Sequence, residues 1–158
     1  AFARARARRE MRLIIVGQGK NERRNDEAQA KLMALAAQLG VADDVVFPGF
    51  VDNPFAFMAR ASVFVLSSAW EGLPGVLIQA LACGCPVVST DCPNGPAEIL
   101  ENGKYGPLVP VGDDVALANA ILSVLSTPQD RDRLRTRAAM FSEDRAVAQY
   151  LQVLLGST

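Results

Sequence analysis

The sequence holds 158 residues with a formal net charge of −1, half of them hydrophobic and 21% charged. That length suits one domain with a sizeable core, and the balanced charge leaves no electrostatic footprint for nucleic acid. Histidine is absent, which excludes Ser-His-Asp and Cys-His chemistry and imidazole metal ligands within these residues.

Arg4, Arg6, Arg8, Arg9 and Arg12 cluster at the start of the chain. They read either as the solvated face of a helix or as a contact for an anionic membrane surface, although no wide apolar face accompanies them. The chain opens at Ala1 rather than Met, as an excised fragment would, and its first ten residues are too charged for a signal peptide. No apolar run reaches the eighteen or so residues of a membrane span.

Leu13–Gly17 reads as a buried strand ending at a glycine turn. A helix follows with Ala28, Leu32, Leu35, Ala36 and Leu39 on one face and Gly40 as its stop. Val45–Phe47 is a second strand, closed by Pro48-Gly49, and Asp52 or Asn53 can cap a short helix from Pro54 to about Arg60. Val63–Leu66 is a third strand, ending at Ser67-Ser68 and leading through a loop into a helix over Gly75 to Cys83, stopped by Gly84. Pro86–Ser89 is a fourth strand. The turn Cys92-Pro93-Asn94-Gly95-Pro96 precedes a short helix, about Ala97 to Glu101, and Gly106–Val109 forms the last strand. Three helices close the chain. The first carries Leu117, Ala118, Ile121, Leu122 and Leu125; the second is capped by Thr127-Pro128; the third is capped by Ser142 with Val147, Leu151 and Leu154 facing inward. The three cysteines, Cys83, Cys85 and Cys92, match no common zinc spacing and read as buried reduced thiols.

Buried strands alternating with amphipathic helices predict a Rossmann-like α/β fold, a parallel sheet covered on both sides in three α/β/α layers. Such sheets bind ligands outside the carboxyl ends of their strands, which directs attention to the loops after Val16, Phe47, Leu66 and Ser89.

The loop after Leu66 is the most informative. It places Glu71 and a Gly72-Leu73-Pro74-Gly75 segment between a strand and a helix start. Free N–H groups and the helix dipole at such an end suit a phosphate, and glycines let backbone approach a ligand. A carboxylate beside an anion site is best explained as an acceptor for hydroxyls. Phosphate and hydroxyls together describe a nucleotide sugar.

The stretch from Ser67 to Glu98 resembles the donor-binding motif of family 4, the retaining glycosyltransferases of the two-domain GT-B type that act in lipopolysaccharide, capsule and glycolipid synthesis. The resemblance extends to Leu13–Gly19, Val46–Phe50, Glu98–Leu100 and Gly106–Pro110. It implies that the chain is the C-terminal, donor-binding half of a GT-B enzyme, without the acceptor domain and inactive by itself. Its partners would be a nucleotide-diphosphate sugar and a saccharide or lipid-linked acceptor, in the cytoplasm or peripherally at the inner face of the membrane.

Residue by residue, the resemblance assigns Glu71 to the first acid of the family's E-x7-E motif, in contact with sugar hydroxyls. It assigns Gly72, Leu73, Pro74, Gly75 and Val76 to the loop around sugar and diphosphate, Phe50 and Val51 to the nucleobase, and Gly17 to the donor-binding set. No metal or other cofactor is expected if backbone N–H groups and basic residues neutralise the diphosphate.

The sequence departs from the family pattern in two ways. The second acid, which binds the ribose diol, is here Gln79. An amide offers one acceptor oxygen where a carboxylate offers two, so the position reads either as a weakened ribose contact or as a solvent-facing helix residue. The strand expected to open the domain, whose loop supplies Arg and Lys to the diphosphate, would precede the helix containing Phe2 to Arg9. Its absence is expected to destabilise the fragment or leave a gap in the sheet. Lys20 reads either as a phosphate neighbour or as a surface lysine.

Other readings fare less well. Gly17-Gln18-Gly19 begins a dinucleotide fingerprint, but its third glycine position is Glu22; a P-loop fails at Ile14 and Asn21. Glu71 and Glu98 as a glycoside-hydrolase pair would lie in loops of a phosphate-favouring sheet. A non-catalytic nucleotide-sugar-binding module or a GT-B sugar-nucleotide epimerase stays as the alternative, with Gln79 in its favour.

Overall fold

A computed structural model describes residues 1–17 and 22–156. Gln18, Gly19 and Lys20, with the phosphate reading of Lys20, lie outside the described residues. The elements run α1 (Phe2–Arg6), β1 (Leu13–Val16), α2 (Glu22–Gln38), a 3-10 turn (Ala42–Asp44), β2 (Val45–Gly49), α3 (Pro54–Arg60), β3 (Phe64–Leu66), α4 (Gly75–Ala82), β4 (Val87–Thr90), α5 (Pro96–Ile99), β5 (Leu108–Val109), α6 (Asp114–Ser126), α7 (Arg131–Ala139) and α8 (Glu143–Leu155). Strands and helices alternate as the periodicity predicts, and every strand pair is parallel. The fold is α/β with helices flanking parallel sheets.

The larger sheet has the order β3-β4-β5, with Val65 opposite Val88 and Ser89 opposite Leu108. β4 is buried at every position, as a central parallel strand with both faces covered must be. Its alternation separates two cores. Val87 packs with Leu77, Leu81, Ile99, Leu100, Leu134 and Ala138 of α4, α5 and α7. Val88 points to the other face and joins Ala5, Val109, Leu117, Ala118, Ile121 and Val124 of α1, β5 and α6. Three α/β/α layers result.

The second sheet consists of β1 and β2 alone. Among the described residues the strands form two sheets rather than one continuous sheet: β1 pairs only with β2 and β3 only with β4, so each keeps an edge without a described partner. A two-stranded sheet buries little. Ile14 is 50% exposed, against the expectation of a fully buried β1. Of the apolar face expected on α2, Ala36 is buried while Leu32, Leu35 and Leu39 are exposed, because two strands are too narrow to cover a helix of 17 residues. Val147, Leu151 and Leu154 of α8 are likewise exposed rather than inward-facing, since no described element covers that stripe.

Side-chain caps set the starts of three helices, α3, α6 and α7. The Asn53 side chain accepts from Ala56 N–H at α3, and Asp113 accepts from Ala116 N–H at α6. α7 begins later than expected: Asp130, not Thr127, is its cap, accepting from both Asp132 and Arg133 N–H. A carboxylate reaching two orphan donors is a better cap than a hydroxyl two residues ahead of a glutamine. Ser142 occupies the N-cap of α8 without a side-chain cap hydrogen bond.

Arg4, Arg8, Arg9 and Arg12 are exposed, as a solvated face would be, and among the described residues all but Arg12 of these are engaged by neighbouring groups. α1 lies on α6 with Ala5 fully buried between them. Arg4 pairs with Asp114, Arg8 donates to Asn119, and Arg9 donates to the Leu125 carbonyl near the C-terminus of α6. Arg6 pairs with Asp44 at 2.7 Å, tying α1 to the turn ahead of β2. Arg4 holds the Asp114 carboxyl below its ordinary value, chiefly through their hydrogen bond.

Candidate functional site

Two groups of loops stand at the carboxyl ends of the parallel strands, one on each sheet. On the smaller sheet, Gly17 follows β1 at φ 123°, and its N–H donates to the Gly49 carbonyl at the end of β2. Phe50 comes next and is 69% exposed, an aromatic face left open to a ligand; Val51 behind it is half-buried. Positive φ at both Gly17 and Gly49 turns the chain sharply away from the strand ends, which only glycine does at little cost.

On the larger sheet, the chain leaves β3 at Leu66. Thr90, at the end of β4 and almost fully buried, donates its hydroxyl to the Ser68 carbonyl at 2.6 Å. The Ser68 hydroxyl in turn donates to the Glu71 carboxylate at 2.6 Å. That length is typical of a charge-assisted O–H···O⁻ bond. Glu71 is half-buried, and Gly72 and Leu73 beyond it are exposed.

The loop then enters α4. Its N-cap is Pro74, which has no side-chain oxygen, and no side chain caps this end. The N–H groups of Gly75 and Val76 lie in the first turn. Both residues are exposed, and neither N–H is bonded within the helix. The macrodipole adds about half a positive charge at the same point. An uncapped helix end beside a held carboxylate can accept an anion and, next to it, a group bearing hydroxyls.

A second turn supports this loop from beneath. Gly95, at φ 75° and ψ −66°, is buried so closely against the loop that a Cβ there would overlap the Gly72 oxygen and the Pro74 ring. Around Gly72 and Gly75 the opposite holds: a Cβ at either would meet nothing within 4 Å. The space above the loop is open.

Of the residues expected at the site, the structure brings Glu71 and Gly72–Val76 together at one strand end, and Gly17, Phe50 and Val51 at another. Gln79 sits one turn into α4 from Gly75 and is exposed. Sequence reading missed Ser68 and Gly95. An i, i+3 Ser/Glu spacing marks the first; the second acts only through a contact 21 to 23 positions away in the chain. Glu98 is exposed, and its carbonyl belongs to the C-terminal end of α5, where Arg137 binds it.

The family model for glycosyl transferases group 1 matches residues 1–127. The chain belongs to this family. It is 33% identical over 160 aligned residues to an N-acetylgalactosamine-N,N'-diacetylbacillosaminyl-diphospho-undecaprenol 4-alpha-N-acetylgalactosaminyltransferase of Campylobacter jejuni, covering 96% of this chain and 41% of that protein. It is 36% identical over 133 residues to the lipopolysaccharide core biosynthesis glycosyltransferase LpsE of Rhizobium meliloti, covering 81% of this chain and 39% of that one. Among solved structures, the sucrose-phosphate synthase of Thermosynechococcus elongatus superposes with a TM-score of 0.80 at 28% identity, over 99% of this chain and 42% of that one. Anabaena HepE in complex with UDP superposes with a TM-score of 0.78 at 25% identity, over 99% and 44%. The chain thus spans about two-fifths of the length of these two curated relatives. Its α/β architecture is that of the GT-B glycosyltransferases, as the resemblance implied.

Proposed function

We propose that this chain is the donor-binding half of a retaining glycosyltransferase that moves a sugar from a nucleoside-diphosphate sugar to a saccharide or lipid-linked acceptor. The observation that carries the reading is the pairing of a hydrogen-bonded carboxylate, Glu71, with the uncapped N-terminus of α4 across the Gly72–Pro74 loop. Relatives named for lipopolysaccharide core and undecaprenol-linked substrates support the acceptor class, and a UDP-bound neighbour supports the nucleotide. The edges of β1 and β3 without a described partner support a strand from elsewhere in the polypeptide completing the sheet.

In this reading the diphosphate lies on the N–H groups of Gly75 and Val76. Negative charge grows on it as the glycosidic bond breaks, and oriented donors with the helix dipole stabilise that charge without reorganising. Glu71 accepts from sugar hydroxyls and fixes the anomeric carbon relative to the leaving group. Phe50 and Val51 flank the base. The diphosphate is neutralised without a metal, so transfer should persist in EDTA. No described helix is long and apolar enough to cross a membrane, and a peripheral position at the inner membrane face fits a lipid-linked acceptor.

The test is Glu71→Ala in the full-length protein, assayed for sugar transfer. Losing two charge-assisted hydrogen bonds predicts a fall of at least about 100-fold with the fold retained. Near-wild-type transfer would overturn the assignment of Glu71.

A further inference from the structure

The Glu71 side chain stands in a loop, where three rotatable bonds leave its carboxylate free to turn away from a ligand. Among the described residues it has one hydrogen-bond partner, the hydroxyl of Ser68, at 2.6 Å on Oε1. Ser68 is itself held. Its carbonyl accepts from Thr90 at 2.6 Å, and Thr90 is 4% exposed on the fully buried strand β4. Two hydrogen bonds therefore connect the carboxylate to the most buried strand of the sheet.

We propose that Ser68 is a positioning residue for Glu71, with Thr90 as its anchor. The proposal rests on the donor-binding reading and extends it to the residues that aim the sugar contact. The chemistry of the pair supports orientation rather than competition. Ser68 donates to Oε1, which leaves Oε2 and the second lone pair of Oε1 for two ligand hydroxyls. A carboxylate fixed before the ligand arrives loses little rotamer entropy on binding, and the direction of its lone pairs selects where the hydroxyls must sit. Because Glu71 addresses the sugar and the α4 N-terminus addresses the diphosphate, loss of Ser68 should weaken one part of the ligand and spare the other. A merely structural role would weaken both.

The experiment uses the full-length protein. The first step selects, among UDP-, GDP- and ADP-linked hexoses, the nucleotide sugar that gives the largest thermal shift. Calorimetry then measures that nucleotide sugar and its matching nucleoside diphosphate on wild type, Ser68→Ala, Ser68→Thr, Glu71→Ala and the double alanine variant. Ser68→Ala should weaken the nucleotide sugar about tenfold, the scale of one hydrogen bond to a charged group, and leave the nucleoside diphosphate within about twofold. Ser68→Thr, which keeps the hydroxyl, should recover most of the loss. On the Glu71→Ala background, Ser68→Ala should add less than about twofold, since two residues acting as a unit are not additive.

Equal losses for both ligands, an unchanged affinity in Ser68→Ala, or additive losses in the double variant would each overturn the role of Ser68. No thermal shift with any nucleotide sugar, or undiminished binding in Glu71→Ala, would instead overturn the donor-binding reading itself.

Discussion

Replacing Gly95 by alanine forces a Cβ into the space between two loops and onto a backbone that resists it. The residue sits at φ 75° and ψ −66°, in the region of a γ-turn that L-residues seldom occupy. Holding a side chain there costs about 1–3 kcal/mol. The added carbon also overlaps the Gly72 oxygen and the Pro74 ring, neither of which is the flexible end of a side chain. Overpacking of this kind costs a further 1–3 kcal/mol, roughly. Together the two effects predict a loss of about 4 kcal/mol, a large share of the 5–15 typical of a domain. At roughly 2–4 °C per kcal/mol for a domain of this size, the unfolding transition should fall by about 10 °C.

Two controls separate the contributions. Gly106→Ala meets Val87 Cγ2 and its carbonyl oxygen at 2.6 Å on an ordinary backbone, so it should show the packing cost alone, about 2 kcal/mol. Gly72→Ala has open space and an unstrained backbone, and should leave the transition within about 2 °C; on the donor-binding reading it should weaken the donor, since that reading sets the sugar against this loop. Scanning calorimetry of the full-length variants measures all three. A Gly95→Ala transition within about 3 °C of wild type would refute the idea that this turn is wedged beneath the loop.

Arg137 donates to the carbonyls of Ile99 at 2.8 Å and Glu98 at 2.6 Å, pairs with Glu101, and stacks on Tyr105 and Phe141. Arg137→Met should cost about 2–3 kcal/mol by orphaning the carbonyls at the end of α5, and Arg137→Lys should rescue little because it lacks the planar fork; a melting temperature unchanged in Arg137→Met would contradict this. Burial pushes the Cys85 thiol from 9.0 up to about 11. Between those values the unfolded chain releases a proton that the folded chain keeps, so stability should fall as pH rises through that window, and Cys85→Ala should flatten the fall. An identical slope in the variant would sink the claim. Gln79→Glu should tighten donor binding about tenfold by restoring a two-oxygen acceptor for a diol. An unchanged dissociation constant would mean that Gln79 does not touch ribose.

Much of this was legible without coordinates. The apolar runs at β3 and β4 and the 3.6-residue pattern of α6 are local signals, written in the side chains that form each element. Asn53 as a cap and the Glu71–Val76 loop at a strand-to-helix junction are also local. Their chemistry depends on residues at most a few positions apart.

What escaped the sequence depends on what lies opposite. The stripes on α2 and α8 are apolar, and periodicity reads them as buried, but burial requires a covering surface and none is present among the described residues. The division of the strands into β1-β2 and β3-β4-β5 is a matter of pairing between distant segments. The N-terminal arginines are charged in any reading; only the packing of α1 on α6 gives them Asp114, Asn119 and the Leu125 carbonyl as partners. Ser68 shows the boundary between the two. Its spacing from Glu71 is in the sequence, but the anchor of its own backbone is Thr90, which a parallel strand brings alongside from 22 positions away.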